Sequence, residues 1–320
     1  MFLGICRDGS IIGHVTSPDN PVREQLEKLR NLEIAGIFLN VPLLDTKTGD
    51  TQDALISALK RIHLAGWIKS VRLGANGRLT PCLSPNCGGY TIEAKLGVKP
   101  NGYSTPDFLG WEVKQHGVKS FDKPHSGGPI TLLTPEPTGG IYRDKGVEVF
   151  LRKFGYTDRT GRSDRINFGG MFKFGERATL TGLTLHMPGY DPKSGKITNP
   201  DGGLTLVGPK GEEAATWHYA DMMRHWNRKH AKAVYVPSLC DKGSRRQYKY
   251  GNLVELGIGT DFLKFLAGIA SGKVYYDPGI KIEKASSKKP LIKRRSQFRV
   301  KPIDLKHLYH EVKIVDVMKK

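Results

Sequence analysis

The residues best suited by type and spacing to do chemistry lie between Gly89 and His116. Asp107 follows Pro106, and Glu112, Lys114 and His116 alternate with Trp111, Val113 and Gln115. Successive side chains of a β-strand point to opposite faces, so Glu112, Lys114 and His116 share one face. Asp107 reaches the same spot only if the chain bends at residues 108–110, and Gly110 permits that bend. Two converging carboxylates bind a hard cation through oxygen, which suits Mg²⁺, an ion that keeps several waters and meets phosphates readily. A lysine just beyond the second carboxylate can orient an attacking water or help deprotonate it, and it stabilises charge on a phosphorus transition state. Glu93 could supply a third carboxylate from a predicted helix. Such a set performs metal-assisted hydrolysis of a phosphodiester. A plainer reading also stands: Asp107 as a turn residue after proline, Glu112 and Lys114 as a solvated ion pair, His116 as a satisfied strand histidine.

The elements that must hold these residues are read from periodicity. Residues 21–32 read as a helix, 34–41 as a strand, and a second helix opens at Gly49 with Leu55, Leu59 and Ile62 on one face. The Gly-, Pro-, Asn- and Ser-rich stretch 74–90 is the best linker candidate, dividing an N-terminal α/β extension (1–78) from a larger domain (79–320). Residues 92–96 show a short helical face and 109–115 a strand. Residues 144–154 form an amphipathic helix closed by Gly155, and 178–186 a strand. Residues 212–230 read as one long helix with Trp217, Met222 and Trp226 in the core and its histidines solvated or facing a ligand. Residues 260–270 form another helix, capped by Gly272, before a strand at 273–276. Helices and strands mix without a regular βαβ beat, so the expected class is α/β of the mixed α+β kind.

Charge narrows the partner. The 320 residues carry 50 Lys+Arg against 31 Asp+Glu, a formal net charge of +19, with 38% hydrophobic and 9% aromatic residues. The chain therefore folds rather than staying disordered, and its excess charge calls for a polyanion. No stretch approaches the 18 or more apolar residues of a membrane span, and no secretory leader opens the chain, so we expect no membrane association and a cytoplasmic location. Four cysteines are too few for a disulfide framework. Cys82 and Cys87 make half a zinc site without a matching second half, and an ordinary reduced turn is expected there.

Three basic stretches offer grips for a phosphate backbone. Residues 281–301 hold nine Lys/Arg against Glu283 alone; within them Lys293, Arg294 and Arg295 suit phosphates, while Gln297 and Arg299 suit base edges. Arg159, Arg162 and Arg165 lie among Gly, Ser, Thr and Asp and read as an arm that orders on a polyanionic partner. Lys242, Arg245 and Arg246 form a third cluster, and His116 could touch the scissile phosphate or a base.

Thr91-Ile-Glu-Ala-Lys-Leu-Gly followed by Pro106-Asp-Phe-Leu-Gly-Trp-Glu-Val-Lys resembles the MvaI/BcnI family of restriction endonucleases, relatives of MutH among the PD-(D/E)XK nucleases. Ile130-Thr-Leu-Leu-Thr-Pro-Glu-Pro, Val147-Glu-Val-Phe-Leu-Arg-Lys-Phe-Gly-Tyr, Ala270-Ser-Gly-Lys-Val-Tyr-Tyr-Asp-Pro and Arg294-Arg-Ser-Gln-Phe-Arg-Val continue it, over roughly residues 60–312. The resemblance implies a PD-(D/E)XK core, a central mixed sheet flanked by helices, with catalytic and recognition lobes. It implies Asp107 and Glu112 as metal ligands, Lys114 as the catalytic lysine and Glu93 as a supporting acid. It implies a Mg²⁺-dependent type II restriction enzyme that clamps double-stranded DNA as a monomer and nicks its strands in turn. A cognate DNA methyltransferase would be a genetic neighbour, not a binding partner. A MutH-like repair nickase and a non-catalytic DNA-binding module are the alternatives.

Overall fold

The computed structural model describes residues 2–5, 10–15, 33–35, 38–40, 48–84, 86–98, 106–243 and 245–319. The chain divides into two units, Met1–Thr48 and Gly49–Lys320. In the first, Phe2–Ile5 pairs antiparallel with Ile11–His14, and Glu33–Ala35 with Phe38–Asn40. The strand expected over 34–41 is thus two short strands where it is described, and the helix expected over 21–32 lies outside the described residues.

The second unit is built on a six-stranded mixed sheet. Leu253–Ile258 and Gln247–Tyr250 both run antiparallel to Lys232–Asp241, while Glu112–Gly117 lies parallel along its other edge. Glu311–Asp316 extends the sheet beyond Leu253–Ile258, and Ile68–Lys69 beyond Gln247–Tyr250. On one face Val113, Val234, Val236 and Leu256 meet Leu55, Ile56, Leu59 and Ile62 of the Thr48–Leu64 helix and Ile92 of the Cys87–Lys95 helix. Burying these apolar stripes is what fixes both helices on the sheet. On the other face Ala233 and Tyr235 join a larger core that includes Phe265 and Ile269 of the Phe262–Ala270 helix.

That larger core also gathers three smaller sheets. Tyr156–Thr157, Arg165–Gly169, Gly279–Glu283 and Leu291–Lys293 form one; Thr184–His186, Gly203–Val207 and Glu213–His218 another; Val274–Tyr276, Phe298–Val300 and Ile130–Leu133 the third. The Val147–Phe154 helix turns Val147, Phe150, Leu151 and Phe154 inward, as its pattern required.

Several sequence expectations need correction. Residues 212–230 are not one helix: Glu213–His218 is a strand, and the helix is Tyr219–His230. Ala214 and Ala215 suit either element, and pairing with Gly203–Val207 decides for the strand. His230 is fully buried, not solvated. The strand expected over 178–186 is confined to Thr184–His186. The stretch 74–90 is not an open linker: it contains the return strand of the Val71–Leu73/Leu79–Pro81 hairpin and enters the Cys87–Lys95 helix. Residues 49–78, assigned to the extension, belong to the second unit, where Ile68 pairs with Tyr248. Cys82 and Cys87 are not a reduced turn but a disulfide, because the hairpin's return strand and the helix start bring them together.

Candidate active site

The chain reverses direction just before the Glu112–Gly117 strand. Phe108 N–H donates to Trp111 O at 2.9 Å and Trp111 N–H to Phe108 O at 2.8 Å. Leu109 and Gly110 take φ values of 48° and 83°. Left-handed backbone at both central positions is the type I′ pattern, whose twist matches that of paired strands. The turn returns Asp107 to the strand, where Asp107 Oδ2 accepts the Val113 N–H at 3.0 Å. The bend foreseen at 108–110 is there, with a leucine as well as a glycine in the left-handed region.

Glu112 is 1% exposed, and Lys114 Nζ donates to its Oε1 at 2.6 Å. Burial works to lower the Lys114 pKa, but the carboxylates of Glu112, Asp107 and Glu93 outweigh it and hold the pKa above its ordinary value. All three acids thus act on one ammonium, which is how the fold assembles the predicted set. Three carboxylates against one ammonium leave an excess of negative charge, and a hard divalent cation suits such oxygen donors. Among the described residues no three His, Cys, Asp or Glu side chains form a ready-made metal cage. Asp107 and Glu112 are oxygen donors of the kind such a cation takes.

Glu93 comes from the Cys87–Lys95 helix, which is fastened at several points. Tyr250 OH donates to Gly88 O at 2.7 Å, and Thr91 Oγ1 both donates to Val71 O and accepts from Val71 N–H, each at 3.1 Å. A Cβ at Gly88 would lie 2.5 Å from Gln115 Oε1, so a larger residue here would have to displace the Gln115 amide. Gln115 is itself pinned by its amide, which donates to Ser238 Oγ at 2.7 Å.

His116 shares the Lys114 face but is 4% exposed, with Nε2 3.2 Å from Pro124 O. A carbonyl only accepts, so Nε2 carries the proton. Burial pushes the His116 pKa down to about 4, against the bond to Pro124 and with help from nearby His125. His125 Nε2 in turn lies 2.7 Å from Glu255 Oε1. Tyr235 stands between Lys114 and Glu255 in sheet register, and its hydroxyl is 2.7 Å from that of Tyr309. Tyr309 OH meets His230 Nδ1 at 3.2 Å, and His230 Nε2 meets Leu132 O at 3.2 Å. Sequence reasoning missed this buried polar chain beside the site, because only sheet register brings its members together.

The proposed DNA-contacting residues separate into two groups. Arg159, Arg162, Lys242, Arg245, Arg294 and Arg295 are exposed, and Lys293 is exposed while pairing with Glu283 at 2.7 Å. The others have protein partners. Arg165 lies on the Arg165–Gly169 strand, not on a loose arm, between Asp158 at 3.5 Å and Glu283 at 2.5 Å. Arg246 donates to Ser84 O at 2.6 Å. Gln297 is 5% exposed and accepts from Thr131 Oγ1 and Arg295 Nε, each at 3.3 Å. Arg299 donates to Asp277 Oδ2 at 2.7 Å and Pro129 O at 2.6 Å. In this conformation Arg165, Gln297 and Arg299 are thus held by protein partners.

The mixed sheet's parallel strand carries Glu-Val-Lys and is entered through an acid-bearing turn and flanked by a helix with a further acid, the arrangement that the resemblance to PD-(D/E)XK nucleases implies. The chain belongs to the MvaI/BcnI restriction endonuclease family, whose sequence profile matches residues 56–309. That membership makes it a sequence-specific DNA endonuclease, a DNA-cleaving hydrolase. Among solved structures, the restriction endonuclease MvaI in complex with its cognate DNA substrate is similar with a TM-score of 0.60 and 17% identity, covering 82% of this chain and 97% of that one. MvaI in the absence of DNA is similar with a TM-score of 0.44 and 16% identity, covering 83% and 98%. At these identities the first likeness establishes the fold. No curated protein matches by sequence. No helix among the described residues is long and apolar enough to cross a membrane.

Proposed function

We propose that this protein is a Mg²⁺-dependent type II restriction endonuclease that hydrolyses phosphodiester bonds at a specific sequence in double-stranded DNA. It acts as a cytoplasmic monomer that nicks the two strands in turn. The observation that carries the chemistry is the buried Glu112–Lys114 pair at 2.6 Å with Asp107 folded beside it. The DNA substrate is supported by family membership and by the fold shared with an MvaI–DNA complex.

Asp107 and Glu112 would hold the cation, with Glu93 supporting the site from its helix. When bound, Mg²⁺ supplies Lewis-acid charge for the scissile phosphate and the attacking water. Burial and the I′ turn fix the two carboxylates before substrate arrives, so little reorganisation is needed at reaction. Lys114 keeps a proton on Nζ and donates hydrogen bonds to the incoming water or to a non-bridging phosphate oxygen, orienting one and stabilising charge on the other. Exposed Arg159, Arg162, Lys242, Arg245, Lys293, Arg294 and Arg295 grip the duplex, and each phosphate neutralised releases counterions.

Glu112→Ala and Lys114→Ala are expected to abolish plasmid cleavage in Mg²⁺ while salt-sensitive DNA binding persists. Undiminished cutting by either variant refutes the site. In a wild-type time course, open circles that progress to linear DNA fit restriction. Open circles that persist indicate a MutH-like nickase. Binding without cleavage under any divalent metal indicates a non-catalytic DNA-binding module.

A further inference from the structure

We propose that the Cys82–Cys87 disulfide is a redox-responsive clamp that holds the first turn of the Glu93 helix on the adjoining Val71–Leu73/Leu79–Pro81 hairpin. Its effect on cleavage rests on the nuclease reading above. Cys87 is the first residue of the Cys87–Lys95 helix, and Cys82 directly follows the hairpin strand Leu79–Pro81. The bond therefore ties the start of that helix to a neighbouring hairpin.

Capping and helix propensity contribute little at this helix start, which tertiary contacts such as Tyr250 OH to Gly88 O also hold. Asn86, at the cap position, makes no side-chain capping bond, and the first turn contains no acidic residue to complement the helix dipole. Its second and third residues are Gly88 and Gly89, the poorest helix formers apart from proline. Gly88 cannot be exchanged for a better helix former without meeting Gln115. The close contact that seats the helix beside the catalytic strand thus favours the residue that weakens the helix. The disulfide supplies covalently what capping and propensity do not.

The clamp is built into its surroundings. Ser70 Oγ donates to Cys82 O at 2.8 Å, and Arg246 donates to Ser84 O at 2.6 Å. Both sulfurs belong to the apolar core that includes Leu55, Ile92 and Val113. Cys82 is 5% exposed and Cys87 0%, so an external thiol must attack through local opening. A dithiol reductant donates two electrons and two protons, breaks the S–S bond to give two thiols, and leaves as its own cyclic disulfide. The freed first turn then frays, and Glu93, further along the same helix, loses its fixed distance from Asp107 and Glu112.

The test uses the whole protein, oxidised and after dithiothreitol, with the state of Cys82 and Cys87 verified by alkylation and peptide mass. Amide hydrogen exchange over residues 87–95 is expected to quicken on the order of tenfold on reduction, with residues 232–241 unchanged. The Mg²⁺ concentration for half-maximal plasmid cleavage is expected to rise on the order of tenfold, the scale seen when groups that position ligands are lost. Cys82→Ser combined with Cys87→Ser should behave like reduced protein and ignore dithiothreitol. Unchanged exchange over 87–95 after verified reduction overturns the clamp, whether or not the protein cuts DNA. Faster exchange with an unchanged Mg²⁺ requirement overturns its hold on the site. If oxidised wild-type protein does not cut at all, the nuclease reading fails, and the exchange comparison still decides the clamp.

Discussion

Replacing Lys114 by Met tests whether the catalytic pair is also an electrostatic unit of the fold. Glu112 is 1% exposed, and the Lys114 ammonium lies 2.6 Å from its carboxylate. Met keeps most of the side-chain volume but removes the counter-ion, leaving a buried carboxylate with Asp107 and Glu93 close by. Breaking a buried pair by removing one partner costs about 3–5 kcal/mol. The Lys114 side chain is 18% exposed, so water screens part of that attraction, and a loss of about 2–3 kcal/mol is expected in EDTA. Adding Glu112→Gln removes the stranded charge and should recover most of the loss, whereas unrelated substitutions would simply add. Urea unfolding followed by far-ultraviolet circular dichroism, with m-values compared, measures both differences. Mg²⁺ should stabilise Lys114→Met more than wild type, because a cation that binds only the native state gains affinity as the site becomes more negative. Equal stability of wild type and Lys114→Met in EDTA would refute the pair's structural role, as would a double variant weaker than the single one.

Two further outcomes follow from the same strand and turn. The His116 pKa is about 4 in the folded protein, below the usual 6.5, so the unfolded chain takes up the proton first as pH falls. Its stabilising contribution is complete above about pH 6.5 and lost towards pH 4, up to roughly 3 kcal/mol. Urea titrations at pH 7.5 and 4.5 should show this loss, and His116→Gln should reduce it; the same pH dependence in that variant would refute the assignment. Leu109 is 53% exposed at a φ of 48°, the first central position of a I′ turn, which favours asparagine. Leu109→Asn is therefore expected to stabilise the fold by about 0.5–1 kcal/mol, net of the small apolar area it removes. A lower urea midpoint would count against strain at this turn.

What was legible in the sequence was local. Glu112 and Lys114 share a strand face because side chains alternate, and Asp107 joins them through a turn whose glycine lies three residues on. Of the helix expected over 144–154, the part Val147–Phe154 was likewise readable, because four apolar residues at helical spacing need only one surface to cover them, whereas Asp144 ends a separate short helix, Ile141–Asp144. The failures lie where a distant partner decides. That Arg165, Gln297 and Arg299 pack against Glu283, Thr131 and Asp277 cannot be read from their local sequence. Ala214 and Ala215 became strand residues because Gly203–Val207 was waiting for them. Cys82 and Cys87 read as a reduced turn because sequence spacing does not show that a hairpin and a helix start converge on them.

The overall charge takes on a different meaning once the site is seen. On the proposed nuclease reading, a +19 chain attracts DNA at long range, yet the point where the scissile phosphate would arrive carries Asp107, Glu112 and Glu93 against one ammonium. Without a cation those carboxylates repel the phosphate that the surrounding arginines and lysines draw in. Surface grip and site engagement are therefore separate electrostatic events. Exposed Arg159, Lys242 and Arg294 can hold the duplex in the absence of metal, while close approach to Lys114 becomes favourable only when the excess negative charge is neutralised. Lys114 offsets only one of the three carboxylates. It keeps the buried acids tolerable to the fold and leaves the remaining charge for the ion that the reaction requires.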